Sequence, residues 1–218
     1  QTPLEQLARL EIDPARSFSN RIDGLRFQSL REAGGLGSFL GGRIELFPHQ
    51  LHTALSAVAG DPVRWLLADE VGLGKTIEAC LTISALLRTG RAERALVIAP
   101  GTLTVQWLGE LYRKFHQIFA LLDAERLDAV AQVYEADANP FDVHPFGVMA
   151  LELLASDRRL AQLAVEAEHD LVVVDEAHFL GSDRGSVLQE RFLSCRDSRT
   201  TLIALCGTLV YADEVAGV

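Results

Sequence analysis

Short apolar runs and longer amphipathic stretches take turns along most of this chain. Trp65-Leu66-Leu67-Ala68, Ala95-Leu96-Val97-Ile98-Ala99, Leu171-Val172-Val173-Val174 and Thr201-Leu202-Ile203-Ala204-Leu205 are dominated by aliphatic side chains. They read as strands, and Leu171 to Val174 as a buried parallel one. Residues 118–122 and 147–150 are weaker candidates of the same kind. Between them the spacing turns helical. Pro48 suits the first turn of a helix that carries Leu51, Leu55 and Val58 on to Gly60. A helix over 76–87 is ended by Thr89-Gly90. Another over 102–115 sets Leu103, Trp107, Leu111 and Phe115 on one stripe. Asp123 could cap a helix over 124–136. Helical patches follow over 151–154, 157–168 and 186–195, whereas Asn139-Pro140-Phe141-Asp142 reads as loop. Strands alternating with helices in this way predict βαβ units and a parallel sheet, with ligands at the strands' carboxyl ends.

The first 43 residues break this rhythm. Leu4, Leu7 and Leu10 fit a short helix stopped by Asp13-Pro14; residues 22–31 fit a strand or a short helix; Gly34-Gly35 and Gly41-Gly42 are turn material. The chain therefore divides into an appended segment, 1–43, and a main α/β lobe, 44–218.

The hydrophobic fraction of 49% and charged fraction of 23% are ordinary for such a lobe. No apolar run reaches the ~18 residues of a membrane span. No basic stretch followed by an apolar one opens the chain, so a secretion signal is not expected. A start at Gln1 rather than Met points to a piece of a longer protein. Cys80, Cys195 and Cys206 are widely spaced, form no C-x-x-C pair and read as reduced, buried thiols of a cytoplasmic protein. The net charge of −10 is the wrong sign for gripping nucleic acid, so any polymer track must be a local basic groove.

Chemistry concentrates after the first strand. Asp69-Glu70-Val71-Gly72-Leu73-Gly74-Lys75-Thr76 lies between an apolar run and a helix. That order lets loop N–H groups and a helix start converge on one phosphate. Gly72 and Gly74 remove Cβ atoms where the backbone turns or approaches an anion. Lys75 supplies positive charge for β- and γ-phosphates, and Thr76 a hydroxyl for Mg²⁺. The first glycine of the strict pattern G-x-x-x-x-G-K-[ST] is replaced by Asp69. A second half-site follows the strand 171–174: Asp175-Glu176-Ala177-His178. Asp175 can orient Mg²⁺, directly or through water, and Glu176 can position or deprotonate an attacking water.

Together these segments resemble the motifs of Swi/Snf-type ATPases within helicase superfamily two. Asp69 to Ala79 resembles motif I, and Asp175-Glu176-Ala177-His178 motif II. Pro48-His49-Gln50 is similar to the adenine-reading Q motif, and Val97 to Trp107 to motif Ia. Ala204-Leu205-Cys206-Gly207-Thr208 sits where motif III belongs. The resemblance covers roughly 43–212 and implies a RecA-like P-loop NTPase lobe with helices on both faces of its sheet, ATP and Mg²⁺ as ligands, and double-stranded DNA as track. Phe119 to Arg126 and Asn139 to Asp142 are similar to segments of the bacterial branch that recycles RNA polymerase, which implies that partner. Where the family usually carries Thr and Pro in motif III, this chain has Cys206 and Val210; Thr208 is kept. A second RecA-like lobe, with its arginine fingers, is expected beyond Val218.

The motifs assign roles residue by residue. Gln50 can donate to and accept from an adenine edge; otherwise it is an exposed helix glutamine. The loop 69–76 would surround the phosphates. His178 links motif II to motif III or the second lobe, or is a packed core residue. Thr208 bonds towards motif II or merely sits in a turn. Gly101, Thr102 and Gln106, at a strand-to-helix junction, could take a DNA phosphate. Trp107 reads as core, His144 and His169 as unassigned, and Arg88, Arg91, Arg94, Arg113 and Lys114 as solvated faces. Three functions remain open. One is a motor lobe of a DNA-dependent ATPase that remodels protein–DNA complexes, expected to bind ATP weakly and hydrolyse it poorly on its own. The second is a non-catalytic nucleotide-binding or docking module. The third, an unrelated P-loop enzyme such as a small-molecule kinase, is not expected to carry the Q and Ia segments in this order.

Overall fold

The computed structural model describes residues 15–32, 43–45, 47–60, 62–68, 72–134, 138–181 and 200–206. The chain separates into two compact units, Gln1–Leu40 and Gly41–Val218. In the first, Ala15–Glu32 form one α-helix, α1. The stretch over 22–31 is thus helix, not strand. It holds no proline, and Leu25, Arg26, Gln28, Leu30 and Arg31 are good helix formers. The helix expected over 3–12 lies outside the described residues, as does the one over 186–195.

The second unit is built on one sheet. Its strands are β1 (Arg64–Leu67), β2 (Ala95–Ala99), β3 (Ala120–Leu121), β4 (Phe146–Ala150), β5 (Leu171–Val174) and β6 (Thr201–Leu205). They lie in the order β1-β6-β5-β2-β4-β3, and every neighbouring pair is parallel. The helices are α2 (Pro48–Val58), α3 (Lys75–Arg88), α4 (Thr104–Phe115), α5 (Ala124–Val133), α6 (Pro140–Val143), α7 (Leu151–Ser156) and α8 (Arg158–Glu166). The chain runs outward across the sheet from β1 to β2 to β3, then reverses through β4 and β5 to β6. Right-handed crossovers therefore put α3 and α4 on one face and α5 to α8 on the other.

Burial follows this division with period two. Leu96, Ile98, Met149, Val172 and Val174 join Leu154, Leu160 and Ala164 of α7 and α8 in one core. Val97, Val148, Val173 and Ile203, also buried, are set by the register on the opposite face. There α4 supplies Trp107, Leu111 and Phe115, the stripe expected from its spacing. The same parity puts Asp175, two residues after Val173, on the α4 side.

One segment and one side chain differ from expectation. Residues 140–143 form a helical turn, not loop, because the Asn139 side chain accepts from Phe141 N–H and Pro140 takes the first position. Asp123 does cap α5, through Arg126 N–H. Arg91 is exposed, as expected, but engaged, and Arg94 is half-buried rather than a solvated face. Arg91 donates to the carbonyls of Val58 and Gly60, closing the C-terminal end of α2. Arg94 bonds Phe141 O and pairs with Asp142.

Candidate functional site

The register brings the carboxyl ends of β1, β6 and β5 to one edge. Leu67 pairs with Leu205, and Val174 with Ala204. With strands about 4.8 Å apart, β1 and β5 end roughly 10 Å from each other, with β6 between. The loops that follow them carry Lys75 and Asp175. Residues a hundred positions apart thus emerge on the same sheet edge, as a shared site requires.

On the β1 side, Gly72 and Gly74 have φ of 95° and 91°, a region that L side chains avoid. Gly74 is the N-cap of α3 and offers no capping side chain. An oxygen there would take the place an anion fills at such helix starts. Gln50, buried on α2, donates from Nε2 to Leu73 O at 3.2 Å. A Cβ on Gly74 would run into that same amide. Gln50 is therefore not an exposed helix glutamine; it braces the loop. Lys75 and Thr76 open α3, half-buried. Asp69, Glu70 and Val71 lie outside the described residues.

On the β5 side, Asp175 is 7% exposed and both its oxygens accept hydrogen bonds. Trp107 Nε1 donates to Oδ2 at 2.8 Å and Glu176 N to Oδ1 at 2.9 Å. Glu176 has φ of 50°, which is costly for a residue with a Cβ and typical of turns that aim a functional group. Its Oε2 lies 3.2 Å from His178 Nδ1, and the same nitrogen is 3.9 Å from Cys206 Sγ, just past β6. His178 thus bridges the two strand ends. Thr208 and Val210 lie outside the described residues.

The junction after β2 completes the edge. Gly101, Thr102 and Gln106 are exposed around a 3₁₀ turn, Gly101–Leu103, that leads into α4. Gly101 N–H donates to Glu152 Oε2 at 2.9 Å, so a carboxylate already meets this turn. Gln106 is followed directly by Trp107, so α4 carries an exposed junction and the partner of Asp175 on successive residues. The Trp107–Asp175 bond is the contact that sequence reasoning missed. Its signal, a tryptophan on a buried stripe, is the signal of any core aromatic.

Other polar groups on the described chain serve the fold. His169 is buried, with Nδ1 against Ala164 O at 3.2 Å and its ring edge-on to Phe141. Burial first, and Arg94 less, lower its pKa to about 4 despite the bond to Ala164 O. His144 is likewise lowered, by burial and then Arg126. Cys80 is buried and its thiol is pushed up by burial, then by Glu110 and Asp175. Cys206 is buried as well; Cys195 lies outside the described residues.

The donor set fits a triphosphate with Mg²⁺. Each Asp175 oxygen keeps a lone pair beyond the bond it accepts, and Thr76 supplies a hydroxyl oxygen. Mg²⁺ favours such hard oxygen donors and takes its remaining ligands from phosphates and water.

Known proteins share this chain's sequence and fold. Residues 30–208 match the SNF2-related domain. The RNA polymerase-associated protein RapA of Vibrio cholerae serotype O1 (strain M66-2) is 42% identical over 178 residues, covering 82% of this chain and 18% of that protein. RapA of Erwinia tasmaniensis is 40% identical over the same shares of each. The chain thus spans about 18% of the length of these relatives. Among solved structures, the Sulfolobus solfataricus SWI2/SNF2 ATPase core in complex with dsDNA aligns with a TM-score of 0.58 at 23% identity, over 78% of this chain and 33% of that one. The UvsW helicase from bacteriophage T4 aligns with a TM-score of 0.57 at 15% identity, over 80% of this chain and 58% of that one. These likenesses identify the fold as a RecA-like helicase lobe. The chain belongs to the SNF2-related domain family.

Proposed function

We propose that residues 44–218 form the ATP-binding lobe of a DNA-dependent ATPase that moves on double-stranded DNA and remodels complexes bound to it, RNA polymerase among them. Residues 1–43 are an appended segment. The observation that carries this reading is the meeting of two half-sites on one sheet edge: a glycine-hinged loop opening α3, and a buried carboxylate closing β5. The relatives named RNA polymerase-associated, and the neighbour solved with dsDNA, support the choice of partners.

In this reading Lys75 meets the β- and γ-phosphates, and Gly72, Leu73 and Gly74 with the preceding 69–71 wrap them. Gln50, already fixed on the loop through Leu73 O, turns its remaining amide capacity towards the adenine edge. Thr76 and Asp175 would hold Mg²⁺, which, when bound, neutralises charge developing on the phosphates. Glu176 orients water and accepts its proton at the carboxylate, and His178 at 3.2 Å fixes that carboxylate. His178, with Thr208, carries the state of the site towards β6. Gly101, Thr102 and Gln106 meet a backbone phosphate of the track. An arginine finger from another lobe can add 10³–10⁵-fold in rate, so this chain alone binds nucleotide and turns it over slowly.

The test is ATP hydrolysis by the full-length protein, with and without duplex DNA, beside Lys75→Ala. DNA-stimulated turnover that the substitution abolishes is expected. Nucleotide binding with no hydrolysis under any DNA condition would instead favour a docking module.

A further inference from the structure

Asp175 is gripped by a residue of a different element. Trp107 Nε1 donates to Asp175 Oδ2 at 2.8 Å, and the two side chains are 1% and 7% exposed. The other oxygen is engaged by the adjoining Glu176 N–H. A terminal carboxylate torsion is soft, so an aspartate with one donor can swing. With a separate donor on each oxygen it is confined to one orientation. An indole N–H can only donate, so the bond persists for as long as Trp107 stays seated, and its ionised acceptor makes it stronger than a neutral pair. Trp107 is seated firmly: it belongs to the buried stripe with Leu111 and Phe115 that anchors α4 on the sheet.

We propose that Trp107 is a positioning residue for the metal side of the nucleotide site, holding the Asp175 carboxylate in the orientation that receives Mg²⁺. This rests on the reading of Asp175 given above. It differs from a purely packing role for Trp107 in one respect: the N–H, and not only the volume of the ring, sets metal affinity. Partners that orient a metal's ligands typically change affinity 10–100-fold when removed.

Two measurements on the 218-residue chain test it. The chain has two tryptophans, so Trp65→Phe leaves Trp107 as its sole indole. With a non-hydrolysable ATP analogue present throughout, Mg²⁺ titration should shift Trp107 emission with the midpoint found for Mg²⁺-dependent nucleotide binding by equilibrium dialysis. In the chain with Trp65 retained, replacing Trp107 by benzothienylalanine substitutes sulfur for the N–H and keeps the ring's shape. The Mg²⁺ midpoint should then rise about tenfold or more, with the thermal midpoint little changed. Nucleotide binding with an unmoved Mg²⁺ midpoint in that variant would overturn the proposal. So would an emission spectrum that ignores Mg²⁺ while dialysis reports binding, a result that does not depend on whether the benzothienylalanine variant folds. Absence of any nucleotide binding would overturn the site itself and this inference with it.

Discussion

Gly74 shows how closely the loop before α3 is specified at single residues. Its φ of 91° strains any side chain, and a Cβ there would meet the Gln50 amide. A left-handed conformation costs an L-residue roughly 1–2 kcal/mol. Gly74→Ala should therefore lower the free energy of unfolding in urea by at least that much; an unchanged midpoint would contradict the loop geometry. Glu176 is the opposite case, a residue that keeps its Cβ at φ of 50°. In the full-length protein Glu176→Gln should cut turnover by about 10²–10⁴-fold, the span of a lost general base, and leave nucleotide affinity unaltered. A loss of affinity instead would mark Glu176 as structural. The placement of Lys75 and Thr76 at a helix start and of Asp175 and Glu176 after a strand was legible in the sequence because it follows from spacing alone. The partner of Asp175 was not, because Trp107 stands 68 positions away and only packing brings its N–H to the acid. The grips of Arg91 and Arg94 on distant carbonyls were hidden for the same reason.

At the level of elements, the long apolar runs were readable and the interrupted ones were not. β2 and β5 are buried along their whole length, and their aliphatic runs say so. β4 looked weak because Gly147 interrupts it, yet it pairs with β2 and β3 and is buried at its centre. The glycine is there for room. A Cβ at Gly147 would lie 2.6 Å from Leu122 Cδ1 and 3.4 Å from Leu96 Cδ1. Gly147→Ala should cost about 1–3 kcal/mol, the range for overpacking a filled core. Chemical denaturation measures this, and a neutral result would mean that Leu122 has another place to go. The turn at 140–143 was misjudged as loop because four residues are too few to show a helical period; its evidence is a side-chain cap, visible only in coordinates.

For the molecule as a whole, parallel topology was legible from alternating elements, whereas strand order was not. Pairing β6 between β1 and β5 is a long-range choice, and it is what gathers both half-sites at one edge. Global stability carries its own signature through His169. Its pKa is about 4 in the folded chain, against 6.5 ordinarily, because burial disfavours the charged ring. Below pH 6.5 the unfolded chain takes up a proton that the folded chain refuses. Stability from this residue is thus complete above 6.5 and is lost as pH falls towards 4, by about 3 kcal/mol in total. Denaturation midpoints across that window should fall less steeply in His169→Leu than in the natural chain; equal slopes would contradict the assignment.

The central claim is that Lys75 and Asp175 serve one magnesium-nucleotide. It is tested most directly by the affinity of this chain for a fluorescent ATP analogue, in Mg²⁺ and in EDTA, for the natural sequence, Lys75→Ala and Asp175→Asn. The account predicts binding strengthened by Mg²⁺ in the natural chain, lost in Lys75→Ala, and stripped of its Mg²⁺ dependence in Asp175→Asn. Undiminished binding in Lys75→Ala, or full Mg²⁺ dependence in Asp175→Asn, would contradict it.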